Sequence, residues 1–369
     1  MARPRVRDDL AKLEGYHSPQ LNVDVRLNTN EAPDAPPAAF TAAVQAAVAN
    51  VEWHRYPDRA ATDLRQAIAA LHHIEPASVF CANGSNEVLQ TILLAFAGPG
   101  RSVATFEPTY AMHSHIAKIS GATNVVGERR DDFSLDLGIV EKLVADARPS
   151  VVFLCSPNNP SGTVETAESI AAVLDMVEAV DGLLVVDEAY GQFAPWSATA
   201  LLGDERSLVV TRTFSKTWAM AGARLGYLLG PTWLVSELDK VVLPYHLDTV
   251  KQQAGLAALS FVEEMDRRVA AIVEERGRLQ TALTDLGMYV WPSGANFVLF
   301  RPQPSANIDG QQIWERLVDH SVLVRNTSSW ERLDGCLRVT IGTKDDNDHF
   351  LGAMTEILEA AGPTSGETT

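Results

Sequence analysis

Lys216 follows a β-branched run, Leu208-Val-Val-Thr211, at the end of the polar turn Thr211-Arg-Thr-Phe-Ser-Lys216, in which Thr213 and Ser215 carry hydroxyls. Arg224 comes eight residues later, within Ala221-Gly-Ala-Arg-Leu-Gly226. An amine just past an apolar strand can condense with an aldehyde while neighbouring hydroxyls and a guanidinium hold a phosphate. A surface lysine after a strand is the better reading of this stretch taken alone. Other loops decide between the two readings.

Ala82-Asn-Gly84-Ser85-Asn86-Glu87 is a glycine turn that opens a helix, where free N–H groups and the Ser85 hydroxyl form an anion cradle. By itself a serine there is most often only a helix cap. Glu107-Pro-Thr-Tyr110 offers a ring that can lie against a planar cofactor. Ser156-Pro-Asn-Asn159-Pro-Ser-Gly162 fixes an irregular loop whose Asn159 amide can donate to a phenolic oxygen. Leu183-Leu-Val-Val-Asp187 ends an apolar strand on a carboxylate, which burial penalises unless a cation such as a pyridinium nitrogen neutralises it. Tyr190, three residues on, can share the ring's hydroxyl with Asn159. Capping of the next helix is the plainer role for Asp187.

These loops need a frame. Strands are expected at 78–81, 102–106, 123–126, 151–155, 183–186, 208–210 and 225–229, with helices over 87–96, 110–119, 137–147 and 166–180 between them. Continuous apolar strands alternating with helices predict an α/β fold with a mainly parallel seven-stranded sheet covered on both faces. Ligands in such sheets gather at the carboxyl ends of strands, where these loops lie. After Pro244 come an amphipathic helix over 263–286, with Glu274 and Arg278 as an exposed i,i+4 pair, and then shorter strands and helices to Ala361. The expected organisation is an arm over 1–28, a large cofactor-binding domain over 29–245, a smaller α/β domain over 246–361 and a flexible tail over 362–369.

Composition narrows the partners. A formal charge of −17 and the lack of a basic stripe argue against nucleic acid. No apolar run reaches the roughly 18 residues of a membrane span, and the amino terminus has no apolar signal core, so a cytoplasmic chain without a membrane partner is expected. Cys81, Cys155 and Cys336 lie far apart in apolar runs, which predicts buried, reduced thiols. The pairs His72/His73 and His113/His115 do not put two imidazoles on one helix face, so no metal site is expected and hydrogen-bonding or surface roles are.

Together the four motifs Ser156–Gly162, Asp187–Tyr190, Thr213–Lys216 and Ala221–Gly226 resemble the fold-type-I pyridoxal-phosphate aminotransferases, over nearly the whole chain. Leu27-Asn-Thr-Asn-Glu31, His54–Asp58, Leu243–His246, Ala295–Val298, Val324-Arg325 and Leu337-Arg338 are most similar to the histidinol-phosphate aminotransferase branch, although Ala32 stands where that branch usually has asparagine. The resemblance implies pyridoxal 5′-phosphate bonded to Lys216, which also moves the substrate's proton. It pairs Asp187 with the ring nitrogen, sets Tyr190 and Asn159 on the ring oxygen and stacks Tyr110 on the ring. Ser85, Asn86, Thr213, Ser215 and Arg224 are implied at the phosphate, joined by Tyr56 from the partner subunit of a homodimer. Arg325 and Arg338 are implied as substrate anion clamps, with Tyr16, Asn86 and Tyr245 at the imidazole end. The implied substrates are histidinol phosphate and 2-oxoglutarate. Rival readings are an aromatic aminotransferase, a threonine-phosphate decarboxylase and a non-catalytic cofactor-binding regulator. The short arm leaves no room for the DNA-binding segment such a regulator carries.

Overall fold

The structure, a computed structural model, describes residues 4–362 apart from 12, 14 and 16–19. In chain order the first half comprises β1 (Val25–Leu27), α1 (Ala38–Ala49), α2 (Thr62–His72), β2 (Val79–Ala82), α3 (Ser85–Phe96), β3 (Ser102–Glu107), α4 (Met112–Ser120), β4 (Thr123–Glu128), α5 (Leu137–Ala147), β5 (Val151–Cys155), α6 (Ala167–Glu178) and β6 (Leu183–Asp187). There follow β7 (Leu208–Thr213), β8 (Gly226–Leu229), α7 (Thr232–Val241), α8 (Thr249–Leu259), α9 (Val262–Asp285), β9 (Met288–Val290), β10 (Phe297–Pro302), α10 (Gly310–Asp319), β11 (Val322–Asn326), β12 (Leu337–Thr340) and α11 (Lys344–Ala361).

Seven strands form one sheet in the order β2-β8-β7-β6-β5-β3-β4, parallel except for β8, which runs against both β2 and β7. Strand alternation sends successive side chains to opposite faces, and here both faces are covered. Val151 and Phe153 pack with Val88 of α3, Ile116 of α4 and Leu234 of α7, whereas Val152 and Leu154 pack with Val140 of α5 and Val173 of α6. Each such fully buried side chain contributes about 1.5–3 kcal/mol relative to exposure. That packing fixes the strand ends. The register then aligns Cys155 with Asp187 and Asp187 with Thr211, so the functional loops leave the sheet side by side.

The second sheet has the order β1-β11-β12-β10-β9. Its apolar face, with Phe297, Val339 and Val324, packs with Ile272 of α9, Ile313 of α10 and Phe350 of α11. The antiparallel register of β11 with β12 sets Arg325 directly opposite Arg338. Like charges opposed across a ladder are destabilising, so this pairing points to an anionic ligand.

Several elements depart from the sequence expectations. β1, inside the expected arm, pairs in parallel with β11 and so belongs to the second sheet. The expected boundary near residue 246 precedes α8, yet α8 packs on α1 and α2. Helices α2, α7 and α8 were not anticipated; α8 buries Gln252, Ala254, Gly255 and Ala258, small or polar residues that draw no apolar stripe. Arg278 does not pair with Glu274: its guanidinium lies 2.7 Å from Glu275 and 2.8 Å from Asp348, because a carboxylate one turn back and another on α11 both lie within reach. Cys81, Cys155 and Cys336 are buried free thiols, and burial pushes Cys81 and Cys336 up to about 12. No helix of the described residues is long and apolar enough to cross a membrane. The tail over 363–369 lies outside the described residues.

Candidate active site

One cavity of about 530 Å³ opens at the carboxyl ends of the parallel strands and is closed on its far side by the second sheet. Its wall includes Ser85, Asn86, Tyr110, Asn159, Asp187, Tyr190, Thr213, Ser215, Lys216, Arg224, Arg325 and Arg338. Residues read from separate motifs therefore meet in a single space.

The anion end is built around α3. Gly84 is its N-cap, with no side-chain cap bond, so the first-turn N–H groups stay open to a ligand. Here Ser85 is the first helical residue, not the cap. Arg224 sits in the left-handed region at φ 51, which costs energy for a non-glycine residue and accompanies a site more often than a plain turn. Its Nη1 donates to Ser215 Oγ at 3.3 Å, and Thr213 Oγ1 donates to Ser215 Oγ at 2.9 Å. A Cβ on Gly84 would stand 2.9 Å from Arg224 Nη2, and one on Gly226 would lie 2.3 Å from Ser85 N. Glycine at both positions lets the guanidinium and the helix start close into one cup.

Asp187, only 1% exposed, occupies the other pole. Its Oδ1 accepts from Ala189 N at 3.1 Å and Thr211 Oγ1 at 3.3 Å, and its Oδ2 accepts from His113 Nε2 at 3.0 Å. His113 stacks on Phe153 at 4.6 Å, and the Tyr110 ring lies perpendicular to it at 5.4 Å. Tyr110 donates to Asn86 Oδ1 at 3.2 Å, which ties the two loops together.

Lys216 Nζ lies between the poles, donating to Thr29 O at 3.1 Å and standing 5.8 Å from the centre of the Tyr190 ring. Burial, reinforced by Arg338 and Arg224 and opposed by Glu31, pushes the amine down to about 7. Burial pushes the Tyr190 phenol up to about 12, so it carries its proton at neutral pH. Arg338 donates to Asn159 Oδ1 and, at 3.1 Å, to Asn28 O, while its guanidinium lies 5.1 Å from the Phe297 ring. Arg325 stacks at 5.5 Å from the Trp330 ring.

The family profile for Aminotransferase class I and II matches residues 22–354. The chain belongs to the aminotransferase class I and II family. Among relatives of this aminotransferase, the histidinol-phosphate aminotransferase of Frankia casuarinae is 43% identical over 366 residues, which span 96% of this chain and 90% of that protein. The enzyme of the same name from Mycolicibacterium smegmatis is also 43% identical, over 95% of this chain and 93% of its own. The histidinol-phosphate aminotransferase of Sinorhizobium meliloti, solved in complex with pyridoxal-5′-phosphate, superposes with a TM-score of 0.87 at 25% identity, covering 97% of this chain and 99% of its own.

The aminotransferase is thus a fold-type-I, pyridoxal-phosphate-dependent transferase. Its donor set fits that cofactor: an uncapped helix start with hydroxyls and a guanidinium for a phosphate, a buried carboxylate for a cationic ring nitrogen, and a depressed amine for a carbonyl.

Tyr56, expected at the partner subunit's site, and Tyr245 lie outside this chain's own cavity. Tyr56 is 80% exposed and stacks at 4.5 Å on Tyr245, itself 42% exposed; neither lines this cavity. Tyr245, expected at the imidazole end, stacks instead on Tyr56 outside that lining. Tyr16 lies outside the described residues. Asn159 turns its carbonyl oxygen to Arg338. Sequence reading missed His113, Asn28, Thr29, Asn30 and Trp330 as site residues. The available signal for His113 was its place three residues after Tyr110, at the start of the helix that leaves β3.

Proposed function

We propose that the protein transfers the amino group of histidinol phosphate to 2-oxoglutarate, giving imidazole acetol phosphate and glutamate, as a cytoplasmic homodimer in histidine biosynthesis. The observation that carries the reading is the pair Arg325 and Arg338, set opposite each other on β11 and β12 and lining the same cavity as Lys216. Guanidinium forks accept carboxylate and phosphate alike, so one site can take a phosphorylated amine and then a dicarboxylate in turn. The relatives of matching length carry the same activity in their names.

When bound, pyridoxal 5′-phosphate supplies the electron sink and the carbonyl that holds the amino group between the two substrates. The chain does the rest. Ser85, Asn86, Thr213, Ser215 and Arg224 would hold the phosphate, Asp187 would keep the ring nitrogen protonated, Tyr190 and Asn159 would bind the ring oxygen, and Tyr110 would pack against the ring. Lys216, largely neutral just above pH 7, accepts the proton from the substrate carbon. Tyr56 and Tyr245, stacked and exposed, are assigned to the interface and reach the partner's site.

Steady-state comparison tests the substrate. Histidinol phosphate is expected to give a higher kcat/KM than phenylalanine, each with 2-oxoglutarate. A higher value for phenylalanine would overturn the assignment in favour of an aromatic aminotransferase.

A further inference from the structure

Asn30 belongs to the segment between β1 and α1, is 1% exposed and has φ 56. Its backbone N–H donates to Thr340 Oγ1 at 3.0 Å, and Thr340 Oγ1 lies 3.0 Å from Asn30 Oδ1. A hydroxyl has one proton, and an amide oxygen has none. With Oδ1 facing Thr340, the Thr340 proton goes to Oδ1 and Nδ2 is turned to Tyr190. That nitrogen donates to the Tyr190 hydroxyl at 3.0 Å. The phenol oxygen accepts there, so its own proton is directed away from Asn30, on the side where Tyr190 lines the cavity. Asn296 Nδ2 holds the Asn30 carbonyl at 3.2 Å, and Arg338, two residues before Thr340 on β12, holds the Asn28 carbonyl.

We infer that Asn30, locked by Thr340, is a positioning residue that aims the Tyr190 proton at the ring oxygen of the cofactor. The inference rests on the cofactor pose proposed above. The other charged or titratable groups around this hydroxyl are Lys216, Arg338, Asp187 and Cys155, and none donates a hydrogen bond to it among the described residues. The N-terminal segment thereby sets the strength of a donor on the loop that follows β6, and it does so through a residue of the second sheet.

The test is absorbance of the pyridoxal-phosphate-loaded protein against pH, without substrate. A donor to the ring oxygen stabilises its deprotonated form, so weakening that donor raises the midpoint of the visible transition. Asn30→Ala is expected to raise it by about 0.5–1 pH unit, the scale of one hydrogen bond. Asn30→Asp, whose carboxylate would draw the Tyr190 proton to itself, is expected to raise it further. In a Tyr190→Phe background the effect of Asn30→Ala should vanish. An undiminished shift in that background, or no shift in Asn30→Ala itself, overturns the inference. Should the Asn30 variants fail to fold, Thr340→Val releases the same amide and must shift the midpoint upward; an unchanged midpoint there overturns the inference as well. Wild-type protein that develops no visible band on loading would sink both the cofactor pose and the inference. A normal band with an unmoved midpoint sinks only the second.

Discussion

The two ends of the cavity are made in different ways. At the phosphate and ring end, Asp187 closes β6 and Thr213 closes β7, with Ser215 and Lys216 on the turn just after it, and the register of these adjacent parallel strands brings them together. At the substrate end, Arg338 reaches Asn28 and Thr340 reaches Asn30, pairs separated by 310 residues in sequence. The first end is held by a sheet packed on both faces. The second exists only while the N-terminal segment and the second sheet are docked together, so its geometry depends on long-range contacts. A well-packed sheet suits a cofactor that stays, and a docked segment suits substrates that alternate.

Substitutions should separate the two ends. The largest effect is expected at the rigid end: Lys216→Ala should lower kcat by at least about 10³-fold, within the range of a lost general base, with the far-ultraviolet circular dichroism unchanged. Arg338→Ala comes next. It removes a buried cation and leaves the Asn159 and Asn28 oxygens without their donor, so kcat/KM should fall by about 10²–10³-fold, mostly through KM, as steady-state kinetics would read.

The pH dependence of Lys216 probes the boundary between the ends, because Arg338 and Arg224 both press on the amine from opposite sides of the cavity. Capture of pyridoxal 5′-phosphate by the apoprotein, followed by stopped-flow absorbance, should rise with pH with its midpoint at about 7 instead of climbing toward the ordinary 10.5. The same shift has a stability sign. Between about 7 and 10.5 the unfolded chain holds a proton on this lysine that the folded chain has released, so this group's contribution to stability increases with pH across that window. In Arg338→Ala the capture midpoint should move upward, since one of the charges that lowers it is gone.

The smallest effect is expected at a tie between the two units that stands outside the cavity. Arg332, on the β11–β12 loop, donates to Arg129 O and, at 3.2 Å, to the exposed Asp131. Arg332→Ala should cost about 1 kcal/mol or less in denaturant unfolding, as exposed pairs do, and leave kcat within about twofold. A tenfold loss would mean that docking of the loop is far more finely set than its exposure suggests.

The same contrast explains what the sequence made legible. The strand-end motifs around Gly84, Asn159, Asp187 and Lys216 are local: each is a run of apolar residues followed by a few polar ones, and the parallel sheet dictates where they lead. Both arginines of the second sheet were also visible as motif residues, through Val324-Arg325 and Leu337-Arg338, although their opposed register was not. Asn28, Thr29 and Asn30 entered only as part of the Leu27–Glu31 motif, with no role, because nothing in that run announces a partner on β12. β1 was hidden for a related reason: three residues, Val25–Leu27, make too short a run to show a period. His113 reads as one more polar residue on an amphipathic helix until the sheet places Asp187 against it. Tyr245 shows the converse, since nothing in Leu243–His246 announces that its ring stacks on Tyr56.

The central claim is that the amine of Lys216 is the group that bonds the cofactor carbonyl in this cavity. Borohydride reduction of the pyridoxal-phosphate-loaded protein, followed by peptide mass analysis, tests it most directly. One modified peptide is expected, with the added mass on Lys216 and none in the Lys216→Ala protein. Label on another lysine, such as Lys251, or no label at all would contradict the account.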